Sequence, residues 1–88
     1  MRTVLVTGIS TGIGKAITEE LLNNDFFVIG SVRKKEDADY FTNNFKGKFE
    51  RVVFDLTKKE EILNAKEEIK TILKNNNSYL SCVINNAG

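Results

Sequence analysis

Three of the chain's six glycines, Gly8, Gly12 and Gly14, fall within the segment Thr7-Gly8-Ile9-Ser10-Thr11-Gly12-Ile13-Gly14. The segment follows a β-branched apolar run and opens an amphipathic stretch, so it sits where a strand turns into a helix. That junction has a definite chemistry. The first helical turn carries unpaired N–H groups and a partial positive charge, both of which stabilise a phosphate or pyrophosphate. Glycine removes the Cβ that would hold an anion away, and Ser10 and Thr11 add hydroxyl donors. A tight turn with no ligand is the competing reading, because short glycine motifs also match by accident. A P-loop is excluded on two counts. Six residues before Lys15 stands Ile9 rather than glycine, and after it comes Ala16 rather than serine or threonine.

Other polar groups recur where apolar runs end. Arg33 and Lys34 follow the run Phe26 to Val32, Asp55-Leu56-Thr57 follows Phe49 to Phe54, and Asn85-Asn86-Ala87-Gly88 follows Tyr79 to Ile84. Singly, each has a bland reading: a solvated basic stretch, an acid favoured beside a helix start by the helix dipole, and turn residues closing a strand. There is no histidine, and with a single cysteine no Cys/His cluster exists to hold a metal. Cys82, in mid-strand, reads as a buried core residue rather than a redox group.

The elements that must position these groups alternate. Thr3 to Thr7 is a buried strand. From Gly12 to Asn24 the residues Ile13, Ala16, Ile17 and Leu21 recur at helical spacing, and Asn24 offers a left-handed stop. Phe26 to Val32 is a second strand. Lys34 to Phe45 is a helix on the sparse stripe Ala38, Phe41 and Phe45. Phe49 to Phe54 is a third strand. Thr57, with Glu60 three residues on, forms a capping box that opens a helix whose face is Ile62, Ala65, Ile69 and Ile72 or Leu73. Tyr79 to Ile84 is a fourth strand. Strands alternating with helices imply parallel pairing through right-handed crossovers. The expected fold is therefore α/β, a partial, Rossmann-like doubly wound parallel sheet, β-α-β-α-β-α-β with strand order 3-2-1-4.

Composition narrows the class. Eighty-eight residues make at most one small domain, of a size that buries only about 60–65% of its unfolded surface. With 41% hydrophobic and 28% charged residues the chain is globular rather than disordered, and a net charge of +1 gives no reason to expect nucleic acid or an anionic membrane as partner. Val4-Leu5-Val6 is too short for a signal-peptide core or a membrane span. The lone cysteine allows no disulfide within one chain. Together these point to a cytoplasmic protein.

The spacing Thr-Gly-x-x-x-Gly-Ile-Gly at Thr7 to Gly14, Asp55 after strand three and Asn85-Asn86-Ala87-Gly88 after strand four together resemble the short-chain dehydrogenase/reductase family. The resemblance spans essentially the whole chain, residues 1–88, as the N-terminal half of a dinucleotide-binding domain. It implies that the glycine turn, Gly8 to Gly14, holds the pyrophosphate of a nicotinamide dinucleotide. Asp55 and Leu56 then lie beside the adenine ring, and Asn85 to Gly88 line the adenosine side and steady the sheet. In such folds an acid ending strand two binds the ribose 2′-hydroxyl of NAD. Here that position is Val32, followed by Arg33, whose guanidinium can pair with a 2′-phosphate, with charge added by Lys34 or Lys35. The cofactor expected is NADP in preference to NAD.

The family's chemistry resembles hydride transfer assisted by a serine, a tyrosine and a lysine, the last two spaced Tyr-x-x-x-Lys. Tyr40 is followed four residues later by Asn44, and Tyr79 by Val83, so neither of the two tyrosines fits. The expectation is a fragment: the cofactor-binding half of an oxidoreductase acting on a carbonyl or alcohol, with no catalytic residue of its own. The alternative is a non-catalytic nucleotide-binding or interaction module ending naturally at Gly88. As an apolar edge, the strand over 79–84 is expected to self-associate.

Overall fold

The computed structural model describes residues 2–86; Met1, Ala87 and Gly88, the last two part of the Asn-Asn-Ala-Gly motif, lie outside the described residues. The elements run β1 (Thr3–Thr7), α1 (Gly12–Asn23), β2 (Phe27–Val32), a 3-10 turn (Lys35–Ala38), α2 (Asp39–Asn44), β3 (Phe49–Val53), α3 (Lys59–Asn75) and β4 (Leu80–Asn85). All strand pairs are parallel and the sheet order is β3-β2-β1-β4, the order read from the sequence.

Side-chain alternation divides the core between the two faces of the sheet. Val4, Val6, Val28 and Val32 point to the side of α1 and α2, where Leu22, Ala38, Phe41 and Phe49 complete a cluster. Phe27, Ile29, Val52 and Phe54 meet Ala65 of α3 on the other side, with Ile69, Ile72 and Leu73 half-buried against them. β2, flanked by β1 and β3, is buried at every position, which is why its sequence is an unbroken apolar run apart from Gly30 and Ser31.

Several expectations are corrected. The inner face of α1 is Gly14, Thr18 and Leu22, one residue on from the apolar stripe, and Ile13 is 72% exposed. Close approach of the helix to the glycine turn selects that row. Gly14 allows it, and the buried Thr18 hydroxyl is satisfied by donating to the Gly14 carbonyl at 2.8 Å. After α1 the left-handed residue is Asp25, with φ 65°, rather than Asn24, whose side-chain amide donates instead to the Glu20 carbonyl at 2.7 Å. The Lys34–Phe45 helix divides into the 3-10 turn and the short α2, although Ala38 and Phe41 are buried as its stripe requires.

Thr57 does not cap α3. Its N–H and hydroxyl both donate to Asp55 Oδ1, and the helix starts at Lys59 with no side-chain cap. Cys82 is exposed rather than buried, and Val83 is 54% exposed, because β1 is the single sheet neighbour of β4 among the described residues. No helix among the described residues is long and apolar enough to cross a membrane.

Candidate functional site

The carboxyl ends of β1, β2 and β3 open onto one cleft of about 380 Å³. Its lining joins Gly8 and Ser10 of the glycine turn, Ser31 to Arg33 at the end of β2, Asp37 of the 3-10 turn, and Phe54 to Thr57 after β3. Of the residues read from the sequence, the cleft thus gathers Gly8, Ser10, Arg33, Asp55 and Leu56. Thr11, Gly12, Ile13, Gly14 and Lys34 do not line it, nor do Asn85 and Asn86.

The glycine turn is held from both sides. Gly8 and Gly12 have φ of 68° and 60°, in the left-handed region that favours glycine. On the β2 side, the Gly8 N–H donates to Ser31 Oγ at 3.0 Å and the Ile9 N–H to the Ser31 carbonyl at 3.2 Å. On the β4 side, Asn86 Nδ2 donates to the Gly8 carbonyl at 2.9 Å and the Asn86 N–H to Thr7 Oγ1 at 3.0 Å, while the Thr7 hydroxyl donates to Asn85 Oδ1 at 3.1 Å. The two asparagines therefore act as braces of the turn.

Ile9 is fully buried and folds back over β2, where Gly30 makes room: a Cβ on Gly30 would stand 2.5 Å from Ile9 Cδ1 and 2.8 Å from Phe49 Cε1. At Gly14 a Cβ would collide with the Gly8 carbonyl and come within 2.5 Å of Asn86 Nδ2. Thr11, in extended conformation, precedes α1 without capping it, and no acidic residue stands in the first turn. The N–H groups of that turn keep the capacity for an anion.

Opposite the turn, Asp55 is half-buried. The Thr57 N–H at 2.9 Å and the Thr57 hydroxyl at 2.7 Å hold its carboxyl below the ordinary aspartate value of 3.8, against a partial desolvation that works the other way, and Arg33 and Lys58 add smaller attractions. Arg33 and Asp37 are both exposed on the cleft wall and form no ion pair with each other.

The sequence reading missed Ser31, Asp37 and Glu61, the last of which accepts the Asp55 N–H at 2.9 Å. Only Gly30 carried a usable signal for this packing, since an isolated glycine within a strand marks a close approach. No group of three or more potential metal ligands occurs among the described residues.

A model of the short chain dehydrogenase family matches residues 2–88. The chain belongs to that family. An NADPH-dependent 3-dehydrocapnine reductase from Ornithobacterium rhinotracheale is 47% identical over 88 residues, covering 100% of this chain and 30% of the relative. A 3-oxoacyl-(acyl-carrier-protein) reductase of Haemophilus influenzae is 37% identical over 84 residues, covering 96% of this chain and 33% of the relative. Among solved structures, a short-chain dehydrogenase from Streptomyces avermitilis superposes with a TM-score of 0.89 at 28% identity, covering 100% of this chain and 32% of that one. The chain thus spans about a third of the length of the relatives it matches. It is part of an oxidoreductase family whose members bind nicotinamide dinucleotides.

Proposed function

We propose that residues 1–88 form the N-terminal, cofactor-binding half of a dinucleotide-binding domain, and that the cofactor is NADP(H) in preference to NAD(H). One observation carries the reading: a single cleft at the strand ends joins a glycine turn, a guanidinium and an ionised carboxylate. In this reading Gly8, Ser10, Thr11, Gly12, Ile13 and Gly14 take the pyrophosphate. Arg33, with Lys34 nearby, takes the 2′-phosphate, and Asp55 and Leu56 take the adenine. Asn85 and Asn86 support the turn from the β4 side.

Val32 at the end of β2 leaves no carboxylate there to receive a ribose 2′-hydroxyl, which favours NADP, as does the NADPH dependence of the 47% identical reductase. In the longer protein that the relatives represent, the nicotinamide ring would exchange hydride with a carbonyl or alcohol carbon. These residues bind and orient; neither tyrosine has the family's lysine four positions on.

Titration of the chain with NADPH and NADH, followed by nicotinamide fluorescence, tests the proposal. Saturable binding that prefers NADPH is expected, and Arg33→Ala should weaken NADPH about tenfold or more, the value of a charge-assisted contact, while leaving NADH nearly unchanged. Equal affinity for the two cofactors in both proteins refutes the NADP assignment, and a folded chain that binds neither refutes the site.

A further inference from the structure

The loop after β3 is closed on itself by a residue outside the motifs. Glu61, in the first turn of α3, reaches back six positions so that its Oε1 accepts the Asp55 N–H at 2.9 Å. Its second oxygen lies 3.6 Å from Lys58 Nζ. The Lys58 N–H in turn donates to the Asp55 carbonyl at 3.0 Å. Within this ring Thr57 places both its donors on Asp55 Oδ1, and Oδ2 takes no hydrogen bond from the described residues.

We infer that Glu61 is a positioning residue: it locks the Asp55 turn so that a carboxylate with one committed oxygen and one open oxygen faces the cleft before any ligand arrives. This rests on the proposed cofactor reading, in which Asp55 meets the adenine. An ionised carboxylate only accepts hydrogen bonds, so its complement is a donor such as the exocyclic amine of adenine. Hypoxanthine carries a carbonyl in that place, and two acceptors facing each other leave both unsatisfied. Discrimination of this kind depends on the carboxylate being held still. A turn that swivels can withdraw Oδ2 and readmit water, which lowers selectivity more than it lowers affinity.

The test is fluorescence titration of the 88-residue chain with NADPH and with its hypoxanthine counterpart, for wild type, Glu61→Gln and Glu61→Ala, each checked for folding by circular dichroism. Wild type should prefer the adenine form about tenfold. Glu61→Gln, whose amide oxygen still accepts the Asp55 N–H, should keep most of that preference. Glu61→Ala should lose at least about two-thirds of it. Should Glu61→Ala unfold, Glu61→Asp, which keeps the charge and withdraws the acceptor by one methylene, should show the same narrowing.

An unmoved ratio in a folded Ala or Asp variant, or equal weakening of both forms, overturns the positioning role and leaves the cofactor reading standing. Equal binding of the two forms by wild type overturns adenine recognition by Asp55, and the positioning role with it. Failure of wild type to bind either form overturns the cofactor reading itself.

Discussion

Gly14→Ala separates contact from conformation in the glycine turn. Gly14 lies within α1 and has no positive φ, so backbone freedom alone gives no reason for glycine there. Alanine would gain up to about 1 kcal/mol of helix propensity, less at a helix start. Against this, its Cβ would drive into the Gly8 carbonyl and the Asn86 amide. Neither retreats freely, because Gly8 is bonded to Ser31 at 3.0 Å on one side and to Asn86 at 2.9 Å on the other.

Overpacking of this kind costs about 1–3 kcal/mol, and loss of the Asn86 bond about 1 kcal/mol more. The net expectation is a destabilisation of about 2 kcal/mol, or a melting temperature lower by about 8–16 °C in a domain this small. Urea and thermal denaturation followed by circular dichroism measure it. Two controls calibrate the result. Gly12→Ala meets no atom within 4 Å but keeps its φ of 60°, and should cost about 1–2 kcal/mol from conformation alone. Gly30→Ala meets side chains rather than backbone and should cost less than Gly14→Ala. A Gly14→Ala protein as stable as wild type would refute the argument, because the helix could then step away from the turn at no cost.

Three further outcomes are expected. Asp37→Asn removes a carboxylate from the cleft wall that also holds Arg33, and should raise the ratio of NADPH to NADH affinity about two- to fivefold at low salt, with the gain shrinking as salt is added; an unchanged ratio places Asp37 outside the reach of the 2′-phosphate. Because the Asp55 carboxyl sits below its ordinary value in the folded chain, its bonds to Thr57 stabilise the fold fully above the unfolded value near pH 4 and fade as pH falls through the lowered folded value. Asp55→Ala should therefore differ from wild type in melting temperature at pH 5–8 and converge with it in strong acid, and a gap that persists there refutes the assignment. β4 exposes an apolar edge, with Tyr79 beside it 79% exposed, so light scattering should show mass rising with concentration and Val83→Lys suppressing the rise; a wild-type monomer at high concentration refutes it.

The order of elements was legible because apolar periods of two and of 3.6 are local properties, whereas the strand order came from the dinucleotide-binding fold, since alternation alone also allows other doubly wound orders. The ends of the strands were legible too, and with them the positions of Gly8, Arg33 and Asp55. Their partners were not. Ser31 meets Gly8 across 23 positions and Asn86 meets it across 78, and no local pattern encodes which hydroxyl or amide will arrive. The capping box shows how a sound local rule loses to such a partner. Thr57 and Glu60 satisfy the spacing, but Asp55, two residues upstream, takes both Thr57 donors, and Glu61 rather than Glu60 turns back. The Thr57 hydroxyl is committed as a donor to Asp55, and α3 begins two residues later without using its oxygen as the acceptor a cap requires.

Cys82 marks a different boundary. Its place in mid-strand, followed by Val83 and Ile84, argued for burial, by the same logic that succeeds for Val28 and Ile29 in β2. The logic is sound for the strand and incomplete for its surroundings. β2 has a strand on either side and helices over both faces, whereas among the described residues β4 has β1 alone and presents Cys82 and Val83 to solvent. Apolarity in a strand records the cover that the segment favours, and accessibility records the cover that these residues supply. In β4 the first exceeds the second, and that excess is what makes association through this edge the expected behaviour of the chain in solution.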